Sequence, residues 1–157
     1  MNKHEHNRLT VMRYIDEHPI TILGTIDDYG RPHGTVIYGV SGDHTSKMHV
    51  YFLTKSDTLK YHNLTTRPAV SITSYDEDEV STLQAQGTAA VENDPRVIDM
   101  VMKQLTRAHA HAAEWLPPIA KLRAGPYVLV GVAISHARIG KFKNKPIGSE
   151  DIFTEAK

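Results

Sequence analysis

The sequence of 157 residues contains no cysteine. Without thiols the chain can form neither disulfides nor thiolate metal sites, and it has no cysteine nucleophile. Lys plus Arg number 18 and Asp plus Glu number 18, so the net charge is zero with neutral histidines. A surface that follows a nucleic-acid backbone needs an excess of positive charge, so we expect no nucleic-acid partner. A local cationic pocket for one small anion is compatible with this balance.

The chain also lacks long apolar runs. No segment reaches the length of a membrane-spanning helix, and no apolar signal-peptide stretch follows the polar N-terminus. We therefore expect no membrane association and a cytoplasmic location. The Gly-x-Gly-x-x-Gly pattern of a Rossmann dinucleotide site is absent as well, which argues against that class of nucleotide-binding fold.

The composition, with 40% hydrophobic and 23% charged residues, is that of one globular domain over 1–157. Apolar Leu9, Met12 and Ile15 recur at helical spacing before Pro19, which predicts an N-terminal helix within 1–18. The alternation of apolar residues predicts strands at 20–26, 31–40, 48–53, 69–74, 80–91 and 127–142, with a bulge or close approach at Gly87. We also expect a short helix that ends near 64, a longer one from 93 toward 115, and an irregular tail over 143–157.

Six strands with most helices at the ends and crossovers favour an α+β, mainly β fold. Successive hairpins build an antiparallel sheet, closed or nearly closed into a barrel with flanking helices. They do not supply the regular alternation of strand and helix that a doubly wound parallel sheet requires.

The segment from 51 to 60 is the most informative for chemistry. A buried strand brings Thr54, Lys55, Thr58 and Lys60 to the first turn of a helix. Free N–H groups at a helix start, the helix dipole and two ammonium groups suit a phosphate monoester, and threonine hydroxyls can donate to its oxygens. The alternative is that Ser56 or Asp57 caps the helix and the lysines are merely solvated.

The order of several motifs resembles the pyridoxamine 5′-phosphate oxidase-like FMN-binding split barrels, in the general stress protein branch. The motifs are TILGTIDDYGRPH from 21, VYFLTK from 50, KYHNL from 60, RPAVSI from 67 and QGTA from 86, followed by Asp94-Pro95. The resemblance covers roughly 19–99, with a weaker echo at 137–142. It implies a six-stranded antiparallel split β-barrel, an FMN cofactor, and a homodimer with its cofactor sites at the subunit interface.

The resemblance also implies where the cofactor lies. The second strand would run past the flavin ring, the end of the third strand and the following turn would hold the phosphate, and the long fifth strand would face the ring edge. The partner chain would add aromatic residues to the ring site. The implied cofactor-binding residues are Thr35, Val36, Ile37, Tyr38, Leu53, Thr54, Lys55, Thr58, Lys60, Thr82, Gln84, Trp115 and Phe142.

Two departures from the family pattern concern the phosphate cradle and the reaction. Leu59 replaces an Arg that many relatives carry before the Lys, so one cation of the cradle is missing. The segment 143–149 has no counterpart of the Arg- and Trp-containing C-terminus that grips pyridoxal phosphate in the true oxidases. We therefore expect an FMN-dependent oxidoreductase acting on another small molecule, with a nicotinamide as electron donor and no assigned catalytic residue. The alternatives are a non-catalytic flavin-, deazaflavin- or haem-binding module in storage, sensing or stress response, and an interaction domain with an empty barrel.

The ten histidines do not form a metal-binding pattern. His109 and His111 are two residues apart, whereas a helical metal pair needs a spacing of four. His4 and His6 fall in a segment expected to be mobile. We therefore expect no metal site.

Overall fold

The computed structural model describes residues 1–42, 47–111 and 126–157, and the side chains of 108–111 are outside the description. The predicted Trp115 site lies outside the described residues. The elements in chain order are α1 (Lys3–Glu17), β1 (Ile20–Ile26), β2 (Pro32–Tyr38), β3 (His49–Lys55), α2 (Leu59–Thr66), β4 (Ala69–Asp76), β5 (Ser81–Val91), α3 (Pro95–His111), β6 (Tyr127–Lys141) and β7 (Phe153–Ala156). The predicted α+β, mainly β class is confirmed.

The strands form one antiparallel sheet in the order β2-β1-β4-β5-β6-β3, with β7 paired to β6. β6 pairs with β5 over most of its length, with β3 near its start and with β7 near its end. The edges β2 and β3 face each other, and an isolated bridge between Val40 and Tyr51 joins the chain after β2 to β3. β2 and β3 are the two ends of the strand order, and the described residues join them by this isolated bridge and not by a ladder. The sheet is therefore not closed, which is the architecture of a split barrel.

The longest ribbon of the sheet, β5 with β6, bends at the predicted bulge. The register shifts between Gln86 and Gly87, where Ser135 is the extra residue of β6. A Cβ at Gly87 would lie 2.4 Å from the carbonyl oxygen of Ala133, so this position accepts only glycine without backbone movement.

Two hydrophobic clusters stabilise the sheet from opposite sides. The main core fills the inner face, and Val11 and Ile15 of α1 belong to the same cluster as Leu83 and Phe52. The second cluster lies under α3, where Val101 and other apolar residues pack on the outer face of β3 and on the start of β6. Burial alternates along the strands accordingly, as expected for a sheet with two distinct faces.

Two predictions about the chain ends are wrong. The tail over 143–157 is not irregular throughout, because β7 adds a seventh described strand and buries Ala156. The segment with His4 and His6 belongs to α1, which begins at Lys3 with Asn2 as its N-cap. The two ends depend on each other, since side chains of α1 donate to backbone carbonyls of the β7 edge, Asn7 to Glu155 and Arg8 to Lys157.

None of the helices in the described parts of the chain is both long enough and apolar enough to cross a membrane.

Candidate functional site

The turn between β3 and α2, residues 54–60, is called the cationic turn below. β3 ends at Lys55, and α2 begins at Leu59 with Thr58 as its N-cap, so the cap is neither Ser56 nor Asp57. The backbone N–H groups of Leu59 and Lys60 have no hydrogen-bond acceptor within the described residues. The first turn of α2 therefore presents two free donors at the positive end of the helix dipole.

The two threonine hydroxyls of the cationic turn are used within the turn itself. Thr58 Oγ1 donates to the carbonyl of Lys55 at 2.9 Å and accepts from the N–H of Tyr61 at 3.4 Å. Thr54 is fully buried, and its Oγ1 lies 3.1 Å from Thr58 Oγ1. Both hydroxyl protons therefore have acceptors already. Each hydroxyl has a single proton, and that proton is already donated within the turn. In this conformation neither hydroxyl has a proton left for a phosphate oxygen, which is the role that the sequence predicted.

The ammonium groups of the cationic turn have no acidic partners. Lys60 is half-buried, and burial lowers the pKa of its ammonium group. Lys55 Nζ lies over the ring of Tyr127 at 5.8 Å from its centroid. No carboxylate of the described residues lies within ion-pair distance of Lys55 or Lys60. A half-buried cation without a counterion is costly in the free protein and favours an anionic ligand.

Three hydrogen bonds hold α2, and with it the cationic turn, against the sheet. Asp28 in the β1–β2 turn accepts from His62 Nε2 at 2.8 Å and from Arg67 Nη1 at 3.0 Å. The hydrogen bond from His62 and then that from Arg67 lower the pKa of the Asp28 carboxyl. On the inner side, buried Asn63 donates to Thr25 Oγ1 at 3.0 Å. The helix start is thus positioned by the β1–β2 hairpin as well as by β3.

The predicted residues of β2 point to two different faces. Ile37 belongs to the main core and Thr35 shares its face, with Thr35 Oγ1 lying 3.3 Å from His33 Nδ1. Val36 is on the outer face and remains 47% exposed, beside its cross-strand partner Ile22 at 50%. Of these residues, only Val36 offers a large apolar surface to a ligand or a second copy.

Two further predicted residues, Tyr38 and Leu53, pack in the second cluster under α3. Tyr38 is only 8% exposed. Their burial leaves little room for direct contact with a ligand in this conformation.

The predicted residues Thr82, Gln84 and Phe142 lie near the other end of β6. With their neighbours Arg138 and Phe153 they form a group that we call the aromatic end. Thr82 and Gln84 share the outer face because Leu83, between them, is fully buried. Gln84 pairs across the ladder with Arg138. Phe142 packs edge-to-face on Phe153 at 5.8 Å between ring centroids.

Glycine and arginine shape the aromatic end. A Cβ at Gly140 would lie 2.7 Å from the ring of Phe142 and 3.0 Å from Thr82 Oγ1, so the missing side chain lets the ring fold over the strand. The guanidinium of Arg138 stacks on Phe153 at 3.5 Å, and its Nε lies 3.7 Å from a carboxylate oxygen of Glu155. Arg138 and Phe153 were missed by the sequence analysis. The available signal for Arg138 was a cation between the small and apolar residues Ala137 and Ile139 of β6.

The cationic turn and the aromatic end lie far apart in one chain. Lys55 pairs with Tyr127 and Gln84 pairs with Arg138, and these two residues of β6 are eleven positions apart (138 minus 127). At the rise of an extended strand this corresponds to about 35 Å along β6. One protomer therefore does not bring all the predicted residues together.

No three histidine, aspartate or glutamate side chains in the described ranges are grouped so that they could share a metal ion.

Comparison with known proteins identifies the architecture. The sequence model of the family described as "Pyridoxamine 5'-phosphate oxidase" matches residues 10–138. No curated protein has a sequence significantly similar to this chain.

Several solved structures are similar despite low sequence identity. One is a protein from Clostridium acetobutylicum related to general stress protein 26 of B. subtilis, of the pyridoxinephosphate oxidase family (TM-score 0.60, 13% identity, covering 87% of this chain and 89% of that one). Another is a pyridoxamine 5'-phosphate oxidase-related, FMN binding protein from Nostoc punctiforme PCC 73102 (TM-score 0.57, 14% identity, 90% and 84% covered). A third is an F420 reductase (TM-score 0.56, 18% identity, 80% and 94% covered). At these identities the likeness establishes a shared fold.

Proposed function

Because the chain belongs to the pyridoxamine 5′-phosphate oxidase family, we propose that it binds FMN, with the phosphate at the cationic turn. The observation that carries the proposal is the half-buried Lys60, whose ammonium group has a lowered pKa and no carboxylate partner among the described residues. A phosphate monoester would supply the missing negative charge.

The residues of the turn fit a phosphate in a specific way. Lys60 and Lys55 supply the cations, and the N–H groups of Leu59 and Lys60 supply donors at the helix start. The hydroxyls of Thr54 and Thr58 hold the turn in shape instead of contacting the ligand. Asp57 is exposed, so its carboxylate can remain in solvent.

We further propose that the protein is a homodimer in which the aromatic end of one subunit completes the site formed by the cationic turn of the other. The separation of about 35 Å along β6 supports this arrangement, since one chain does not join the two groups. The exposed pair Ile22 and Val36 on the outer sheet face supplies apolar surface that a second copy can cover. Gln84 and Arg138 would then place an amide and a cation near the edge of the ring.

When bound, FMN supplies hydride and electron transfer, and the protein supplies binding and orientation. We propose a redox role on a small-molecule substrate, with a nicotinamide as the electron donor. FMN-binding and F420 reductase relatives by fold are compatible with this role. Anaerobic addition of NADPH to the flavin-loaded protein should bleach the flavin absorbance. A spectrum that does not change would favour the non-catalytic binding module instead.

The phosphate assignment is tested by titrating FMN and riboflavin, which lacks the phosphate, into the wild type and the Lys55→Ala/Lys60→Ala variant. We expect FMN affinity to fall at least about 100-fold, because each charged contact contributes roughly 1.5–3 kcal/mol, whereas riboflavin affinity should stay within about threefold. Lys103→Ala is the matched control, since Lys103 lies on α3 in an ion pair with Asp99. Equal FMN affinity in the double variant and the control would disprove the assignment.

The shared site is tested by mixing two defective chains. One carries Lys55→Ala/Lys60→Ala and the other carries Gln84→Ala/Arg138→Ala, and each alone should bind FMN poorly. In a mixed dimer one of the two sites combines the intact cationic turn with the intact aromatic end, so tight binding should return to about half of the mixed dimers' sites. If mass spectrometry shows that mixed dimers have formed and tight FMN binding still does not return, the proposed sharing is contradicted.

A further inference from the structure

The last turn of α1 leads into a histidine whose two ring nitrogens both face hydrogen-bond acceptors. His18 Nδ1 lies 2.8 Å from the carbonyl oxygen of Tyr14, and His18 Nε2 lies 2.7 Å from a carboxylate oxygen of Asp76 at the end of β4. The ring also stacks on Tyr14 at 4.0 Å between centroids. The side chains of His18 and Asp76 are only 19% and 22% exposed, so solvent screens this contact incompletely.

Only one protonation state of His18 satisfies both contacts. A carbonyl and a carboxylate can only accept, and the imidazolium is the form in which both ring nitrogens carry a proton to donate. A neutral ring keeps one N–H and turns a lone pair toward the other oxygen. Loss of a proton therefore converts one of the two short contacts from attractive to repulsive.

The groups around His18 do not change charge near neutral pH. The Tyr14 phenol pairs with Ser81 Oγ at 2.8 Å, and burial raises the pKa of Tyr14 above its usual value. The backbone N–H of Glu79 lies 2.9 Å from the Asp76 carboxylate. This N–H is the main cause of the lowered pKa of Asp76, and the hydrogen bond from His18 adds to it.

The remaining charges of the β4–β5 turn are acidic: Glu77, Asp78 and Glu79, of which Glu79 pairs with Lys143 at 3.4 Å. No cation of the described residues other than His18 lies within ion-pair distance of Asp76. The ring of His18 therefore lies between an acidic turn and the carbonyl end of α1.

We propose that His18 is a protonation-dependent latch that fastens α1 to the β4–β5 turn. The protonated latch holds the helix that supplies Val11 and Ile15 to the main core. Asp16, two residues earlier, accepts from Ser41 and Gln104 and so links the same turn of α1 to the chain after β2 and to α3. Opening of the latch therefore loosens the contact between α1 and the β4–β5 turn. The proposal does not depend on any cofactor.

The sign of the effect follows from the state that is stabilised. Both contacts are donated only when each ring nitrogen carries a proton, so the latch should hold at acidic pH and open at alkaline pH. The measurement is amide hydrogen exchange of the full chain at pH 5.5 and pH 8, expressed as protection factors corrected for intrinsic rates. Protection in α1 should fall about tenfold over this range.

Three variants make the test specific. His18→Gln and Asp76→Asn should each remove most of the pH dependence of protection in α1, because no ion pair can form in either variant. His6→Gln, an exposed histidine of the same helix, should behave like the wild type. Should α1 exchange only by global unfolding, the same pH dependence should appear in the urea midpoint.

Two results would overturn the proposal: α1 protection that is constant with pH in the wild type, or an unchanged pH dependence in His18→Gln.

Discussion

The two regions beside the opposite ends of β6 carry their charges in opposite ways. At the aromatic end the cations have partners, since Arg138 stacks on Phe153 beside Glu155 and Lys143 lies 3.4 Å from Glu79. At the cationic turn, Lys60 is half-buried and no carboxylate of the described residues is close to it. The cations of the aromatic end therefore have carboxylates within ion-pair distance, and Lys60 has none among the described residues.

This difference indicates which of the two regions contributes more to ligand affinity. A cation that already has partners must break or share them before it contacts a ligand, so it contributes more to stability than to affinity. A cation without partners lowers the stability of the free protein and contributes fully when an anion arrives. The cationic turn is therefore the better candidate for the main ligand contact, and the aromatic end for a supporting one.

The largest expected change in stability tests which side chains of β5 point into the core and which point outward at the aromatic end. Leu83 is fully buried in the main core, so Leu83→Ala should lower the free energy of unfolding by about 3 kcal/mol. The adjacent Gln84 is exposed on the outer face, and Gln84→Ala should change it by less than about 0.5 kcal/mol. Urea unfolding of both variants measures the contrast. Similar losses for the two would show that the register of β5 is wrong.

A smaller change in stability is expected when Arg138 and Lys60 are each replaced in the protein without ligand. Arg138→Met should lower the free energy of unfolding by about 1 kcal/mol, because it removes the stacking on Phe153 and a partly exposed ion pair. Lys60→Met should raise it by roughly 0.5–1 kcal/mol, because it removes a half-buried charge without a partner. Thermal unfolding distinguishes the opposite signs.

The pH dependence provides a control for the Lys60 comparison. The folded protein lowers the pKa of Lys60, so the charged form costs stability below that pKa, and the cost is relieved as the pH rises from it toward the usual lysine pKa. The difference in stability between Lys60→Met and the wild type should therefore shrink at alkaline pH. A difference that stays constant up to strongly alkaline pH would mean that the charge is not its cause.

The local part of this fold could be predicted from the sequence. The apolar alternation of 80–91 predicted β5 to within one residue, and Asp94-Pro95 predicted the start of α3, because these signals lie within the segments themselves. β7 could not be predicted in this way. It is a four-residue strand that exists because β6 pairs with it on one edge and α1 covers the other.

The candidate site was predictable by residue type more than by geometry. The sequence indicated lysines at a helix start, and the structure places them there. It could not indicate that Thr58 donates its proton to a carbonyl three residues earlier, because that depends on the backbone of the turn. Arg138 was missed because its significance comes from Gln84, a cross-strand neighbour 54 positions earlier (138 minus 84).

The smallest expected effect distinguishes a hydroxyl that holds the turn from one that contacts phosphate. Thr54→Val keeps the shape of the side chain and removes the contacts of Thr54 Oγ1 with Thr58 Oγ1 at 3.1 Å and with the carbonyl of Lys55 at 3.4 Å. Thr58 would still donate to Lys55 and accept from Tyr61, so the free energy of unfolding should fall by only about 0.5–1 kcal/mol. FMN affinity should change less than about threefold, whereas loss of a direct contact to a charged oxygen would weaken it about tenfold or more. A tenfold loss of FMN affinity together with unchanged riboflavin affinity would show that Thr54 contacts the phosphate. The hydroxyls of the cationic turn would then bind the ligand as the lysines do.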